Sequence, residues 1–444
     1  MSSDSKVAIV GAGLAGCETA WQLARRHIDI DLFEMRPKVM TPAHNTGHFA
    51  ELVCSNSLKS LDPTNAHGLL KAELELAGSL IIDCAKKNAV NAGTALAVDR
   101  IDFSKEIEQQ LGAFNNLTVV NKEVTDLEKL AQQYEIVVVA GGPLISDNLA
   151  SSLQEMLGES DLYFYDAIAP IVYAESIDMN IAFKASRYEK GGADYINCPF
   201  NEQEYETLIG DLIQAKRAPI RNFEKAKVFE GCMPIEFLAE RGMATLSYGP
   251  FKPVGLRDPR TGNQPWAVLQ LRAESKNGDL YNMVGCQTRM TWPEQKRIFR
   301  KIPGLKQCEF ARMGSMHRNS YLNAPRTLKP NLELKNREGV FIVGQLTGVE
   351  GYVESAASGM WAAINIVSLM KNYPAPDVDS QTMIGGLINY LQTASSDNFQ
   401  PMNSNFGLLA DLPGFKTRNK YLKRKSLSDR AIKKWKSQLE GLSW

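Results

Sequence analysis

Residues 7–24 read VAIVGAGLAGCETAWQLA, and this stretch decides the fold. Val7 to Val10 is a short apolar run of the kind that forms a buried strand. Gly11, Ala12, Gly13, Leu14, Ala15 and Gly16 follow as GxGxxG, and a helical pattern begins at once. A second apolar strand (Ile28, Ile30, Leu32, Phe33) ends in Glu34, 18 residues after the last glycine. Each glycine has a separate physical task. Gly11 permits the tight turn, Gly13 lets the backbone approach a pyrophosphate, and Gly16 lets helix and strand pack closely. The helix start offers N–H groups and partial positive charge to phosphates. Glu34 is placed to accept hydrogen bonds from the ribose hydroxyls of an adenosine. A complete strand–glycine loop–helix–strand–acid unit therefore predicts a dinucleotide site.

Two later stretches choose FAD over a nicotinamide cofactor as the resident group. Ile136-Val-Val-Val-Ala-Gly-Gly-Pro143 is another buried strand, ending in a glycine turn at Gly141. Gly339-Val-Phe-Ile-Val-Gly344-Gln345 is a strand and glycine loop, and GVEGYVESAASGMWAA (348–363) follows as a helix of small residues able to approach a cofactor closely. A nicotinamide domain is usually finished within one contiguous stretch, whereas this pattern returns near the end of the chain. The expectation is an α/β fold: a Rossmann-like two-part FAD-binding domain of the glutathione-reductase type, carrying an inserted α+β domain. The boundaries expected are 1–165 for the first flavin part, 166–311 for the insert and 312–444 for the second flavin part. Residues 64–87 read as one amphipathic helix, with Leu69, Leu70, Leu74, Ala77, Leu80 and Ile81 at helical spacing.

Composition narrows the class. Lys+Arg and Asp+Glu both number 50, so no whole-chain field points to nucleic acid. The basic character is local: between residues 416 and 436 ten residues are Lys or Arg and one is acidic, with Tyr421 and Trp435 interleaved. Such a segment suits a phosphate backbone with stacking, or a solvated terminal helix. No secretory pattern and no long apolar run is present, so a cytoplasmic protein without a membrane partner is expected. Seven scattered cysteines without a CxxC pair fit reduced thiols, and no metal site is expected.

Two cysteines stand apart. In ELVCSNSLKS (51–60) Cys54 ends an apolar run and meets Ser55, Asn56 and Ser57. In VFEGCMPIE (228–236) Cys232 precedes Met-Pro, and Pro234 suits a first helical turn. A thiol near a helix start is biased toward thiolate.

These stretches, with FEMRP, TPAHNTGHFA, NAHGLLKAEL, ALAVDR, DYINCP, YGPFKPVGL, TWPEQKR, MHRNSYLNAP and GVEGYVESAASG, resemble the bacterial folate- and FAD-dependent tRNA (uracil-5-)-methyltransferases of the Gid family. The resemblance spans about residues 1 to 410. It implies formation of 5-methyluridine at the T-loop uridine of tRNA (position 54 in tRNA numbering). The carbon would come from 5,10-methylenetetrahydrofolate, with FAD as reductant recharged by NADPH or NADH. It marks Cys54 and Cys232 as the functional pair. Cys232 is the expected nucleophile at uracil C6, and Cys54 accepts the C5 proton or shields the reactive flavin. The reverse assignment is the alternative. It also marks Glu350 and Gly351 on the cofactor side, and His317, Arg318, Asn319 and Glu354 on the substrate side. Gln345 stands where many flavoproteins carry an acid. Competing expectations are the same chemistry on 23S ribosomal RNA, a flavin oxidoreductase without RNA, and a noncatalytic RNA-binding flavoprotein.

Overall fold

The computed structural model describes residues 6–41, 43–158, 163–189, 192–218, 233–274, 278–415 and 417–442, with backbone alone at 163–168, 189, 316–319 and 398. Five parallel strands form the central sheet. Their order from one edge is Val340–Ile342, Ile136–Val139, Val7–Val10, Ile30–Glu34, Leu117–Asn121. Four of the five are contributed by the first 140 residues, and the edge strand arrives from beyond residue 339. The sheet is thus closed by the returning half of the chain, as the two-part reading expected. The four-residue runs at Val7–Val10 and Ile136–Val139 are buried on both faces, which is why they read as unbroken apolar stretches.

Helix Tyr352–Met370 lies against helix Leu14–Ala24, and its residues Val353 to Ser368 are all buried. Its small residues serve this helix pair. A Cβ on Gly359 would stand 2.3 Å from the carbonyl oxygen of Ala15, and the Thr19 hydroxyl donates to the Gly359 carbonyl at 3.0 Å. The expectation that they serve close approach to a cofactor is therefore corrected for Gly359. Ser355, at the start of the same helix, does reach the pocket described below.

The single helix expected over 64–87 is two, Ala66–Leu76 and Leu80–Lys87. Gly78 turns the chain with φ +74°, and the Ser79 hydroxyl caps the second helix by accepting from Ile82 N–H. The apolar spacing runs on through the break, so periodicity alone hid it.

Between the two flavin-side segments the chain builds a six-stranded antiparallel sheet. Its order is Phe183–Ala185, Tyr195–Phe200, Ala267–Ala273, Leu280–Met283, Ile171–Tyr173, Phe310–Arg312. Helices Glu202–Gln214 and Trp292–Phe299 pack into its own apolar core, around Phe200, Phe251, Leu269 and Phe299. Backbone strands Tyr163–Ile168 and Ser315–Ser320 pair antiparallel where the chain leaves and returns.

The basic terminal segment is helix Lys420–Gly441. Tyr421 is exposed, but Trp435 is 1% exposed and its indole N–H donates to the Glu73 carbonyl at 2.8 Å. Trp435 is therefore an anchor on helix Ala66–Leu76, with no free face for stacking. Among the described residues no helix is long and apolar enough to cross a membrane.

Candidate active site

A cleft of about 1200 Å³, counted to its open mouth, lies at the carboxyl ends of the central strands. Gly11, Gly13, Leu14, Ala15, Glu34, Gly141, Gly344, Gln345 and Cys54 all line it. Gly11 has φ +106°, and a Cβ there would meet the Ala140 carbonyl at 2.6 Å; a Cβ on Gly16 would stand 1.9 Å from the Gly11 carbonyl oxygen. Gly16 thus works behind the loop, outside the cleft. A Cβ on Gly13 would meet only the Ala140 oxygen, at 3.9 Å, which leaves the backbone bare toward the cleft. No side chain caps helix Leu14–Ala24, so its first-turn N–H groups face the cleft ready for an anion. This donor set fits the pyrophosphate of a dinucleotide.

Glu34 is engaged more fully than its position suggested. One carboxylate oxygen accepts from Ala12 N–H (2.9 Å) and Arg36 Nη2 (3.2 Å), the other from Arg36 N–H (2.9 Å) and Nε (3.0 Å). Burial works against the charge, yet the Arg36 fork and the N–H groups hold the carboxyl below the usual carboxylate range. Ala12 therefore contributes through its N–H to Glu34 and is not part of the cleft wall.

Gln345 lines the cleft and donates to Glu350 at 2.8 Å; Glu350 stands behind it, and Gly351 also lies outside the wall. Glu354 is elsewhere. It is buried and accepts from the Ser404 hydroxyl (2.7 Å) and Ser404 N–H (3.0 Å), and it pairs with His67 Nδ1 at 3.1 Å. Desolvation is outweighed by His67, Lys59 and Ser404, and the carboxyl is held down at about 2. His317, Arg318 and Asn319 lie on strand Ser315–Ser320, opposite Asp166, Tyr165 and Phe164; their side chains lie outside the described residues. Cys232 also lies outside the described residues, while Pro234 stands at the start of helix Ile235–Glu240.

Cys54 is half-buried, whereas Cys17, Cys84, Cys198, Cys286 and Cys308 are buried and their thiols pushed up by burial. The Tyr352 hydroxyl accepts from Cys54 N–H (2.9 Å) and Ser55 N–H (3.2 Å), and its own hydrogen bonds the Cys54 side chain. Sequence reasoning missed Tyr352 and Arg36. Both sit inside quoted motifs, GVEGYVES and FEMRP, beside residues that drew attention first.

A cleft of this kind, with a bare glycine loop, an uncapped helix start and a wall returned from late in the chain, defines a Rossmann-like FAD-binding fold. Solved structures agree on the fold: Aquifex aeolicus GidA in two crystal forms matches with TM-scores of 0.69 and 0.70, at 15% identity, over 98% of this chain and 73–76% of that one. The family profile described as Glucose inhibited division protein A matches residues 6–374. Proteins named methylenetetrahydrofolate--tRNA-(uracil-5-)-methyltransferase TrmFO are 51% identical in Desulforudis audaxviator and 50% identical in Brevibacillus brevis, over 96–97% of this chain and 97% of theirs. The chain belongs to the glucose inhibited division protein A family, among the proteins called TrmFO.

Proposed function

We propose that this protein is a folate- and FAD-dependent RNA methyltransferase that forms 5-methyluridine in the T-loop of tRNA. The observation that carries the reading is Cys54 on the wall of the dinucleotide cleft, in a chain half identical to named TrmFO proteins along nearly its full length. Uracil C5 is a poor nucleophile. Addition of a cysteine sulfur at C6 makes C5 enolate-like, able to attack a methylene carbon from 5,10-methylenetetrahydrofolate. We assign this addition to Cys232, which precedes helix Ile235–Glu240 in sequence. Cys54 Sγ then takes the C5 proton as tetrahydrofolate leaves from the transferred carbon, and once that exocyclic methylene has been reduced to methyl, loss of the Cys232 sulfur from C6 restores the ring. FAD, when bound, supplies the electrons that turn the methylene into a methyl group, with NADPH or NADH as the source.

Gly11, Gly13, Leu14, Ala15, Gly141, Gly344 and Gln345 would hold the cofactor, with Glu34 and Arg36 bracing the adenosine end. The two separate cores support dividing the chain into flavin parts at 1–165 and 312–444 and a substrate-side insert at 166–311. The test is methyl transfer to a T-arm minihelix by wild type, Cys54→Ala and Cys232→Ala. Turnover by wild type alone supports the proposal. Turnover only on 23S rRNA fragments would move the target, and full turnover by Cys54→Ala would remove Cys54 from the chemistry.

A further inference from the structure

Three arginines from distant parts of the chain converge on the five residues around Cys54. Arg100, at the start of helix Arg100–Gly112, donates to the carbonyls of Leu52 and Val53. Arg312, at the end of strand Phe310–Arg312, donates to the Val53 carbonyl at 3.0 Å. Arg272, on strand Ala267–Ala273, donates to the Ser55 hydroxyl at 2.7 Å and to Asn56 Oδ1 at 3.0 Å. The loop is thus held on both flanks of the cysteine. Two of the three guanidinium groups come from the inserted sheet and one from the flavin side.

The charges do not balance. Glu274 pairs with Arg100 at 2.6 Å, and its other oxygen has no partner among the described residues. Among the described residues, three guanidinium groups, that of Arg272 buried and those of Arg100 and Arg312 half-buried, therefore face one carboxylate. Arg100 Nη2 and Arg312 Nε and Nη2 are buried without a hydrogen-bond partner among the described residues, an arrangement that is costly unless an anion stands nearby. The other groups facing the loop do not supply that anion. Glu51 is committed to Asn45 N–H, Thr46 and Arg36, and His44 is bonded to Thr41. Tyr352 has both acceptor positions taken by backbone N–H groups, so it can only donate to the sulfur.

We propose that Arg100, Arg272 and Arg312 are positioning residues that hold Cys54 as a thiolate and tie its place to that of the inserted domain. Burial and Arg100 bring the Arg312 guanidinium down to about 10, still cationic at neutral pH, and burial lowers Arg272. For Arg100, desolvation is outweighed by Glu274, Tyr352 and Cys54 together, which raise it. Among the described residues, the sulfur is the group left to supply the negative charge the cluster lacks. In the proposed reaction this gives Cys54 the protonation state a base needs. The inference rests on that reading for its purpose, while the thiolate can be tested without RNA or folate.

The test is the pH profile of iodoacetamide alkylation on the purified, FAD-bound full-length protein, read by peptide mass spectrometry. Trypsin releases Cys54 alone in peptide 39–59 and Cys232 in peptide 228–241, so the two are read separately. An ordinary thiol titrates near about 8.5. The expected wild-type midpoint for Cys54 lies at least about one pH unit lower. Arg312→Gln and Arg272→Gln are expected to slow alkylation of Cys54 about tenfold at pH 6.5 with Cys232 unchanged, and Arg312→Lys to restore most of the rate. A wild-type midpoint at or above about 8.5 overturns the proposal without recourse to any variant. So does an unchanged Cys54 profile in both Gln variants. Methyl transfer by a protein with an ordinary Cys54 titration would overturn the role given to these arginines and leave the proposed function standing.

Discussion

Gly359→Ala is the substitution whose effect can be worked most directly. The added Cβ would lie 2.3 Å from the Ala15 carbonyl oxygen, 3.0 Å from the Ala15 carbonyl carbon and 3.0 Å from Thr19 Oγ1. Two of these atoms are backbone, so no side-chain rotation relieves the contact. Helices Leu14–Ala24 and Tyr352–Met370 must separate by about 1 Å to restore ordinary contact. Overpacking of this kind costs up to about 3 kcal/mol, and replacing Gly by Ala inside a helix returns about 1 kcal/mol. The net destabilisation is about 2 kcal/mol, or roughly 3–6 °C in melting temperature for a unit of this size. Ala15 and Ser355 both line the cleft, so the separation should also weaken flavin retention. Gly210→Ala is the control. Gly210 lies inside helix Glu202–Gln214, and a Cβ added there would meet nothing within 4 Å, so the same substitution should stabilise by ~0.5–1 kcal/mol. Thermal unfolding followed by circular dichroism and by flavin fluorescence checks both. A Gly359→Ala protein as stable as wild type would refute the helix-contact reasoning, and so would equal shifts in the two variants.

The Glu354 carboxyl sits at about 2 when folded, below its ordinary value near 4.5, so its stabilisation is present above that ordinary value and is lost as pH falls toward 2. Glu354→Gln should lower stability at pH 7 and flatten the stability–pH curve between about 4.5 and 2, measured by urea unfolding across that range. Arg36→Gln leaves the buried Glu34 carboxylate without its guanidinium partner and should cost about 3–5 kcal/mol, seen as a lower denaturation midpoint and faster flavin release. Trp435→Ala should cost about 3–5 kcal/mol without any RNA present, because the indole is an anchor of the terminal helix. A loss confined to RNA binding, with unchanged melting, would contradict that assignment.

Much of the fold was legible because it rests on local rules. The glycine loop between Val10 and Cys17 needs bare backbone at three positions, and only glycine supplies it. The doubly buried strands read as continuous apolar runs. Other features depend on contacts far apart in sequence, and no window reveals them. The break at Gly78 interrupts an apolar face whose spacing continues. Gly359 looked cofactor-facing because small residues suit any close approach, and its partner Ala15 is 344 positions away. Trp435 looked like a stacking residue because its neighbours are basic, while its burial depends on helix Ala66–Leu76. At the cleft, Cys54 was visible from its odd polar surroundings. The arginines around it were not, since Arg100, Arg272 and Arg312 are ordinary surface residue types until the inserted sheet brings them to one loop.

The origin of the methyl carbon tests the central claim most directly. Purified protein is incubated with a tRNA T-arm transcript, NADPH and either 13C-methylene-labelled tetrahydrofolate or methyl-labelled S-adenosylmethionine. The nucleosides are then analysed by mass spectrometry. The account predicts labelled 5-methyluridine at the T-loop uridine from the folate alone, and none when Cys54 is replaced by Ala. Label arriving from S-adenosylmethionine, or 5-methyluridine made at the wild-type rate by the Cys54→Ala protein, would contradict it.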